Sequence, residues 1–154
     1  MTQQTTIDPI SKELELPCDP TRAFDMFTKE LSSWWPLATH SLGGEGTREC
    51  HMDDHVGGQI YEMGGDQVRQ AWGTIEAWQP PHRLVFTFHP GREEATAGTV
   101  EVSFTASGGG CRVELEHRGW ELLGESGATM RDNYDSGWGE VYGRCFFEYA
   151  VEAS

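Results

Sequence analysis

The chain has 154 residues, with 25 Asp or Glu against 11 Lys or Arg, and its formal net charge at pH 7 is -14. The length fits one compact domain. The six Trp, seven Phe and four Tyr need an apolar interior, so we expect a folded chain despite the charge. An acidic surface repels phosphate backbones and anionic lipid head groups, which argues against nucleic-acid partners and against membrane-surface binding.

The chain begins with a predicted tail, one strand and a helical stretch. Residues 1–9 are polar and predict a flexible tail. The run Ile10–Leu16 alternates loosely between apolar and polar side chains, which predicts a strand. Asp19 and Pro20 are typical of a helix start, because Asp accepts from free N–H groups there and Pro needs no donor at the first position. Apolar residues then recur every three or four positions, and the helical stretch is predicted to end at residues 34–36.

Six further strands are predicted after a loop rich in Gly, Ser and Thr. Their ranges are 47–52, 59–63, 68–78, 83–88, 99–106 and 111–118, with a longer loop at 90–98 before the fifth. The turns are too short for crossover helices, so neighbouring strands are expected to run antiparallel in a meander. Alternation in the last two strands predicts one solvated sheet face and one covered face. Gly73 is expected to mark a bulge, which would decide the face on which Trp72 lies.

The segment left to cover the sheet is 129–150, where apolar and aromatic residues recur every three or four positions. They are Met130, Tyr134, Trp138, Val141, Cys145 and Tyr149. This spacing predicts one long amphipathic helix. Gly137, Gly139 and Gly143 each disfavour that helix by about 1 kcal/mol relative to Ala, so burial must override propensity. We expect these glycines to face inward, either to leave room for a ligand or to allow close contact with a strand.

The cysteines and the start of the chain indicate a cytoplasmic protein without a cofactor. Cys18, Cys50, Cys111 and Cys145 form no C-x-x-C pair, and the first residues lack the basic and apolar regions of a secretory signal, so reduced thiols are expected. No apolar run approaches the roughly 20 residues that span a bilayer. Neither a phosphate-binding loop nor a serine nucleophile elbow is present in the sequence.

A cluster at residues 50–55 invites a metal hypothesis. It contains Cys50, His51, Asp53, Asp54 and His55. The two histidines would share a side only on a helix, whereas the surrounding Asp and Gly residues predict a strand end followed by a turn. We therefore expect no metal site.

Short motifs along the chain resemble one family. They are, in order, WWP at 34–36, GGQIYE at 57–62, WGTI at 72–75, PPHRLVFTF at 80–88, LEHRGWE at 115–121 and YDSGW at 134–138. In this order and spacing they resemble bacterial proteins similar to the activator of heat-shock-protein-90 ATPase, within the SRPBCC superfamily of START-like domains. The resemblance implies a single domain over residues 10–154.

The resemblance also implies an α+β helix-grip fold of the START-like, Bet v-like kind. In that fold a curved antiparallel β-sheet wraps around a long C-terminal α-helix, and two short helices follow the first strand. A hydrophobic cavity lies between the sheet and the long helix. No single activity is implied, because members of the superfamily carry lipids, bind plant hormones or cyclise polyketides.

Nine side chains are candidates for the wall of such a cavity. They are Trp35, Trp72, Phe86, Phe88, His117, Trp120, Tyr134, Trp138 and Val141. His117 shares strand parity with Val113 and Leu115, so its imidazole is expected to point inward, either as a hydrogen-bonded core histidine or as a polar group of the pocket. For each ring the alternative is plain core packing.

These features favour a noncatalytic or weakly catalytic domain that holds a small apolar or aromatic ligand between sheet and helix. One alternative is an enzyme, a cyclase or hydrolase of hydrophobic substrates with His117 as general base. Another is a chaperone-interaction module, which predicts an exposed apolar patch. The eukaryotic activator contacts the chaperone through a separate N-terminal domain, for which 154 residues leave no room. A homodimer is compatible with all three hypotheses.

Overall fold

The structure, a computed structural model, describes residues 7–90 and 96–153. Its strands are β1 (Ile10–Leu16), β2 (Thr47–Met52), β3 (Gln59–Gly64), β4 (Arg69–Gln79), β5 (Arg83–Phe88), β6 (Gly98–Ser107) and β7 (Gly110–Arg118). They form one antiparallel sheet in the order β1-β7-β6-β5-β4-β3-β2. The predicted meander is confirmed, and β1 joins it beside β7.

The helices are α1 (Pro20–Thr28), α2 (Leu31–Trp34), α3 (Gly127–Glu140) and α4 (Phe147–Ala153). A 3-10 segment at Trp120–Ser126 leads into α3, and a π-helical segment at Val141–Phe146 joins α3 to α4. The 3-10 segment, α3, the π-helical segment and α4 together make the long C-terminal helix that the sheet curls around. The helix-grip fold is thereby confirmed. A 3-10 turn at Gly44–Gly46 ends the loop before β2.

The first helical stretch follows its sequence signals closely. Asp19 accepts a hydrogen bond from the Arg22 amide at 2.8 Å, as expected of a residue before the first helical turn. The stretch is divided into α1 and α2 at Lys29 and Glu30, which gives the two short helices implied by the resemblance.

The predicted alternation of the sheet is confirmed. Val100, Val102 and Phe104 of β6 are buried, as are Val113 and Leu115 of β7. At Gly73 of β4 the pairing with β3 shifts by one residue. A Cβ on Gly73 would lie 1.6 Å from the Thr87 carbonyl oxygen, so only glycine fits. This bulge turns Trp72 inward, where it is 1% exposed.

The C-terminal helix buries Trp138 and Val141 as predicted, but its buried stripe otherwise differs from the predicted one. Trp138, Tyr142, Phe146 and Ala150 are buried at four-residue intervals, whereas Cys145 and Tyr149 are only partly buried. A π-helical turn holds more residues than an α-helical turn, so four-residue spacing stays on one face through it.

The glycine expectation is wrong for two of the three positions. Gly139 and Gly143 are exposed, and a Cβ at either would meet no atom closer than 4.0 Å, so both face solvent. Gly137 is partly buried and also has open space beside it.

Part of the expected tail and part of one expected loop lie outside the described residues. Of the tail at 1–9, residues 1–6 are outside, whereas Ile7 packs against the core and Arg131 donates to the carbonyl oxygens of Asp8 and Pro9. Residues 91–95 of the loop at 90–98 are also outside. Among the helices of the described segments, none is long and apolar enough to cross a membrane.

Replacing Gly139 with Ala should raise the free energy of unfolding by about 1 kcal/mol, because Ala favours a helix more than Gly does. Urea unfolding measures this change. Gly124→Ala is the comparison, since Gly124 has φ of 60° and an Ala there would be strained. Destabilisation at position 139 would contradict its placement on the solvent side.

Candidate ligand-binding cleft

A cleft of about 310 Å³ lies between α3 and the loop that follows α2. We call the loop segment 39–43 the loop wall and the rings of Trp35 and Phe88 the floor. The helix wall consists of Asn133, Tyr134, Gly137, Trp138 and Val141. The lining side chains and backbone come from Trp35, Thr39, His40, Ser41, Leu42, Phe88, Pro90, Asn133, Tyr134, Gly137, Trp138 and Val141. None of these described lining residues is Asp, Glu, Lys or Arg.

The structure brings five of the nine candidate residues to the cleft. These are Trp35, Phe88, Tyr134, Trp138 and Val141. The other four, which are Trp72, Phe86, His117 and Trp120, are at most 2% exposed and belong to the core behind the cleft. The sequence predicts all nine as wall candidates because inward parity does not separate a cavity wall from the layer beneath it.

The floor rests on a continuous aromatic cluster. The ring centroids of Trp35 and Trp72 are 4.9 Å apart, and Trp35 meets Trp138 edge to face at 5.9 Å. Phe88 lies 5.6 Å from Trp138 and 6.2 Å from Trp72. Such ring pairs stabilise a fixed geometry beyond the area they bury, so the floor is a preformed apolar surface.

His117 supports the helix wall from behind. It is fully buried, and its Nδ1 accepts a hydrogen bond from Trp138 Nε1 at 3.0 Å. An indole N–H can only donate, so Nδ1 is unprotonated and the imidazole is the neutral Nε2–H tautomer. The His117 carbonyl accepts from Trp120 Nε1 at 2.9 Å. The acceptor nitrogen that a general base would use is therefore engaged by Trp138, away from the cleft.

Glu62 is the buried acidic side chain that sequence reasoning missed. It is 2% exposed, and its carboxylate accepts four hydrogen bonds. The donors are the Leu42 amide at 2.6 Å, the Gly43 amide at 3.0 Å, Thr47 Oγ1 at 2.8 Å and Trp72 Nε1 at 2.7 Å. Burial by itself raises the pKa of Glu62. The four hydrogen bonds together lower the pKa by more than burial raises it, so the pKa lies below its ordinary value.

A signal for Glu62 was present in the sequence. Glu62 is two residues after the buried Ile60 in β3, so strand parity turns both side chains inward. An acidic residue at an inward position must find several donors. Parity did not reveal that two of those donors would be loop amides 19 and 20 residues earlier in the chain.

Cys50 and Cys111 are poorly suited to nucleophilic chemistry. Cys18, Cys50, Cys111 and Cys145 are all free thiols. Burial raises the pKa of Cys50 to about 12 and that of Cys111 to about 11, so little thiolate forms at neutral pH.

The histidines of the former metal hypothesis lie apart. His51 Nε2 is 3.3 Å from Glu49 on β2, and His55 faces Asp54 at 3.9 Å in the turn after it. Among the described residues, no three His, Cys, Asp or Glu side chains gather as metal ligands would.

A family profile described as Activator of Hsp90 ATPase homolog 1-like protein matches residues 17–148. The chain belongs to this family. The resemblance expected from the motifs is thereby confirmed, and the match runs from the residues before α1 into α4. No significant match is found among curated proteins.

Solved structures share the fold of this Activator of Hsp90 ATPase homolog 1-like domain. Txn09, an anthrahydroquino-gamma-pyrone synthase, is 26% identical, with 87% of this chain and 90% of that chain covered and a TM-score of 0.57. An HSP90 activator from Plasmodium falciparum is 19% identical, with coverages of 96% and 95% and a TM-score of 0.62. A protein from Rhodobacter sphaeroides is 15% identical, with coverages of 95% and 92% and a TM-score of 0.67. The last two likenesses show the fold alone.

Glu62 should make stability depend on pH in a way that Glu62→Gln removes. The pKa of Glu62 is lowered in the folded state, so its contribution is complete above the unfolded value of about 4.3 and is lost as pH falls through the lower folded pKa. Urea unfolding between pH 3 and 7 should show the wild-type advantage over Glu62→Gln shrinking only below about pH 4.3. A constant difference over the whole range would contradict this.

Proposed function

We propose that the cleft binds a small, uncharged, largely aromatic molecule. The observation that carries the proposal is a cleft of about 310 Å³ with aromatic floor and helix wall and no Asp, Glu, Lys or Arg among its described lining residues. A charged ligand buried there would find no Asp, Glu, Lys or Arg partner among the described lining residues, which is unfavourable. An apolar ligand gains roughly 25 cal/mol for each Å² removed from water, before the costs of association.

The size and polarity of the cleft support a compact ligand. Small-molecule sites commonly measure roughly 300 to 1,000 Å³, so this cleft suits a molecule of a few rings. Ser41, Thr39 and His40 on the loop wall and Asn133 on the helix wall supply hydrogen-bonding groups. These groups would orient a hydroxyl or carbonyl of the ligand while the rings of the floor contact its faces.

The likeness to Txn09 supports an aromatic ligand class. That protein is named for an anthrahydroquino-gamma-pyrone, a fused aromatic product, and aligns with 87% of this chain. The same likeness favours the enzyme as second candidate. The geometry of His117 does not favour that residue as the base, because its acceptor nitrogen is bonded to Trp138 and its ring is fully buried.

The two candidates differ in what happens to a bound compound. Each aromatic compound that binds the protein is incubated with an equimolar amount of it and then analysed by mass spectrometry. This experiment separates the binding protein from the enzyme. Recovery of unchanged compound supports binding alone, and a new product supports the enzyme.

The chaperone alternative gains less support. The large apolar side chains that are exposed in the described residues are Leu42, Val56, Val68, Leu122, Phe147 and Val151. Apart from Phe147 and Val151 on α4, no two of them share a helix or strand, so no single element of the described residues presents an apolar face of this kind.

Gly137→Leu should block the cleft. Gly137 lines it, and an added side chain would enter open space there. The probe is the uncharged fluorescent aromatic N-phenyl-1-naphthylamine, whose emission rises in apolar surroundings. We expect its Kd to increase at least about tenfold in Gly137→Leu, because the leucine displaces the ligand from its contacts.

Gly139→Leu is the matched control, since Gly139 lies two residues away on the solvent side of the same helix. It should bind the probe as the wild type does. Equal affinity in both variants would place binding outside the cleft, and absence of binding to the wild type would refute the proposed function for this ligand class.

A further inference from the structure

The loop wall of the cleft is held mainly by hydrogen bonds. Leu42 is 42% exposed although it lines the cleft, so its side chain anchors the wall weakly. Trp35 Nε1 donates to the His40 carbonyl oxygen at 2.8 Å. The amides of Leu42 and Gly43 donate to the Glu62 carboxylate at 2.6 and 3.0 Å. A segment with few buried apolar contacts shifts readily when its hydrogen bonds are lost.

Glu62 also reaches the floor of the cleft. The same oxygen, Oε1, accepts from the Leu42 amide and from Trp72 Nε1. Trp72 packs against Trp35 of the floor with 4.9 Å between ring centroids. One carboxylate oxygen thus joins the loop wall to the aromatic cluster beneath the ligand site.

We propose that Glu62 is a positioning residue that sets the width of the cleft by holding the loop wall against the aromatic floor. Its effect on ligand binding rests on the proposed function, whereas its effect on the loop does not. A carboxylate suits this position because it offers only acceptor sites when ionised and all four groups that face it donate.

The ionisation state supports this role. Although burial raises the pKa of Glu62, the effect of the four hydrogen bonds is larger and lowers it overall, so the carboxylate is charged at neutral pH. Hydrogen bonds to a charged group are stronger than those between neutral groups.

Glu62→Gln tests the loop directly. The amide keeps the shape of the side chain but replaces one acceptor oxygen with an N–H₂ group, which would face donors. We expect the backbone amides of Leu42 and Gly43 to exchange hydrogen for deuterium at least about tenfold faster, as measured by NMR. Amides of β6 and β7 should keep their rates, which separates a loop effect from general destabilisation. The Kd for N-phenyl-1-naphthylamine should rise about tenfold as well.

A second pair of variants alters the same contact from the loop side. A Cβ on Gly43 would lie 2.6 Å from Thr47 Oγ1 and 3.5 Å from the Glu62 carboxylate, so Gly43→Ala should push the loop wall away. Gly46→Ala is the matched control in the same loop, because a Cβ there meets no atom within 4 Å. Gly43→Ala should reproduce the faster exchange and weaker probe binding, and Gly46→Ala should change neither.

The outcomes are distinct. Unchanged exchange at Leu42 and Gly43 in a folded Glu62→Gln protein overturns the proposal, as does faster exchange with unchanged probe affinity. If Glu62→Gln does not fold, the comparison of Gly43→Ala with Gly46→Ala decides by the same two measurements. A wild type that does not bind the probe refutes the proposed function, and the exchange rates alone then decide whether Glu62 positions the loop.

Discussion

A buried indole N–H must find an acceptor, and this requirement ties the parts of the cleft together. The indole N–H of Trp34 donates to the Met26 carbonyl, that of Trp35 to the His40 carbonyl and that of Trp72 to the Glu62 carboxylate. Trp120 donates to the His117 carbonyl, and Trp138 donates to the His117 imidazole. Two of these bonds fix the loop wall, directly or through Glu62, and the bond to the imidazole fixes the helix wall to β7. The aromatic side chains therefore supply position as well as apolar surface.

The long C-terminal helix fills the space above one end of the sheet with side chains and leaves a cleft above the other end. At the closed end the ring centroids of Phe27 and Phe146 are 5.2 Å apart and those of Phe27 and Phe104 are 6.0 Å apart, so side chains fill the space. At the open end Gly137 has no side chain, and the neighbouring wall is a polar loop. The position of the cleft therefore follows from which residues of one helix are large.

The strands were predictable because each of their signals is local. Alternation over a few residues and the turn residues between strands fix the ends of β2 and β5, and even the bulge at Gly73 was indicated by its glycine. The stripe of the C-terminal helix was less predictable. Its π-helical segment at Val141–Phe146 adds residues to one turn, and the burial of Tyr142 and Phe146 against the sheet favours this arrangement over a regular α-helix.

The sequence by itself determined the fold, the family, the inward direction of His117 and the aromatic composition of the interior. Only the tertiary structure decided that His117 lies behind Trp138 and not on the surface of the cleft, and that Glu62 receives two amides of the loop wall. The physical reason is that periodicity reports which face of an element is buried. The partner of a buried polar group depends on which distant segment folds over it, and no local pattern records that contact.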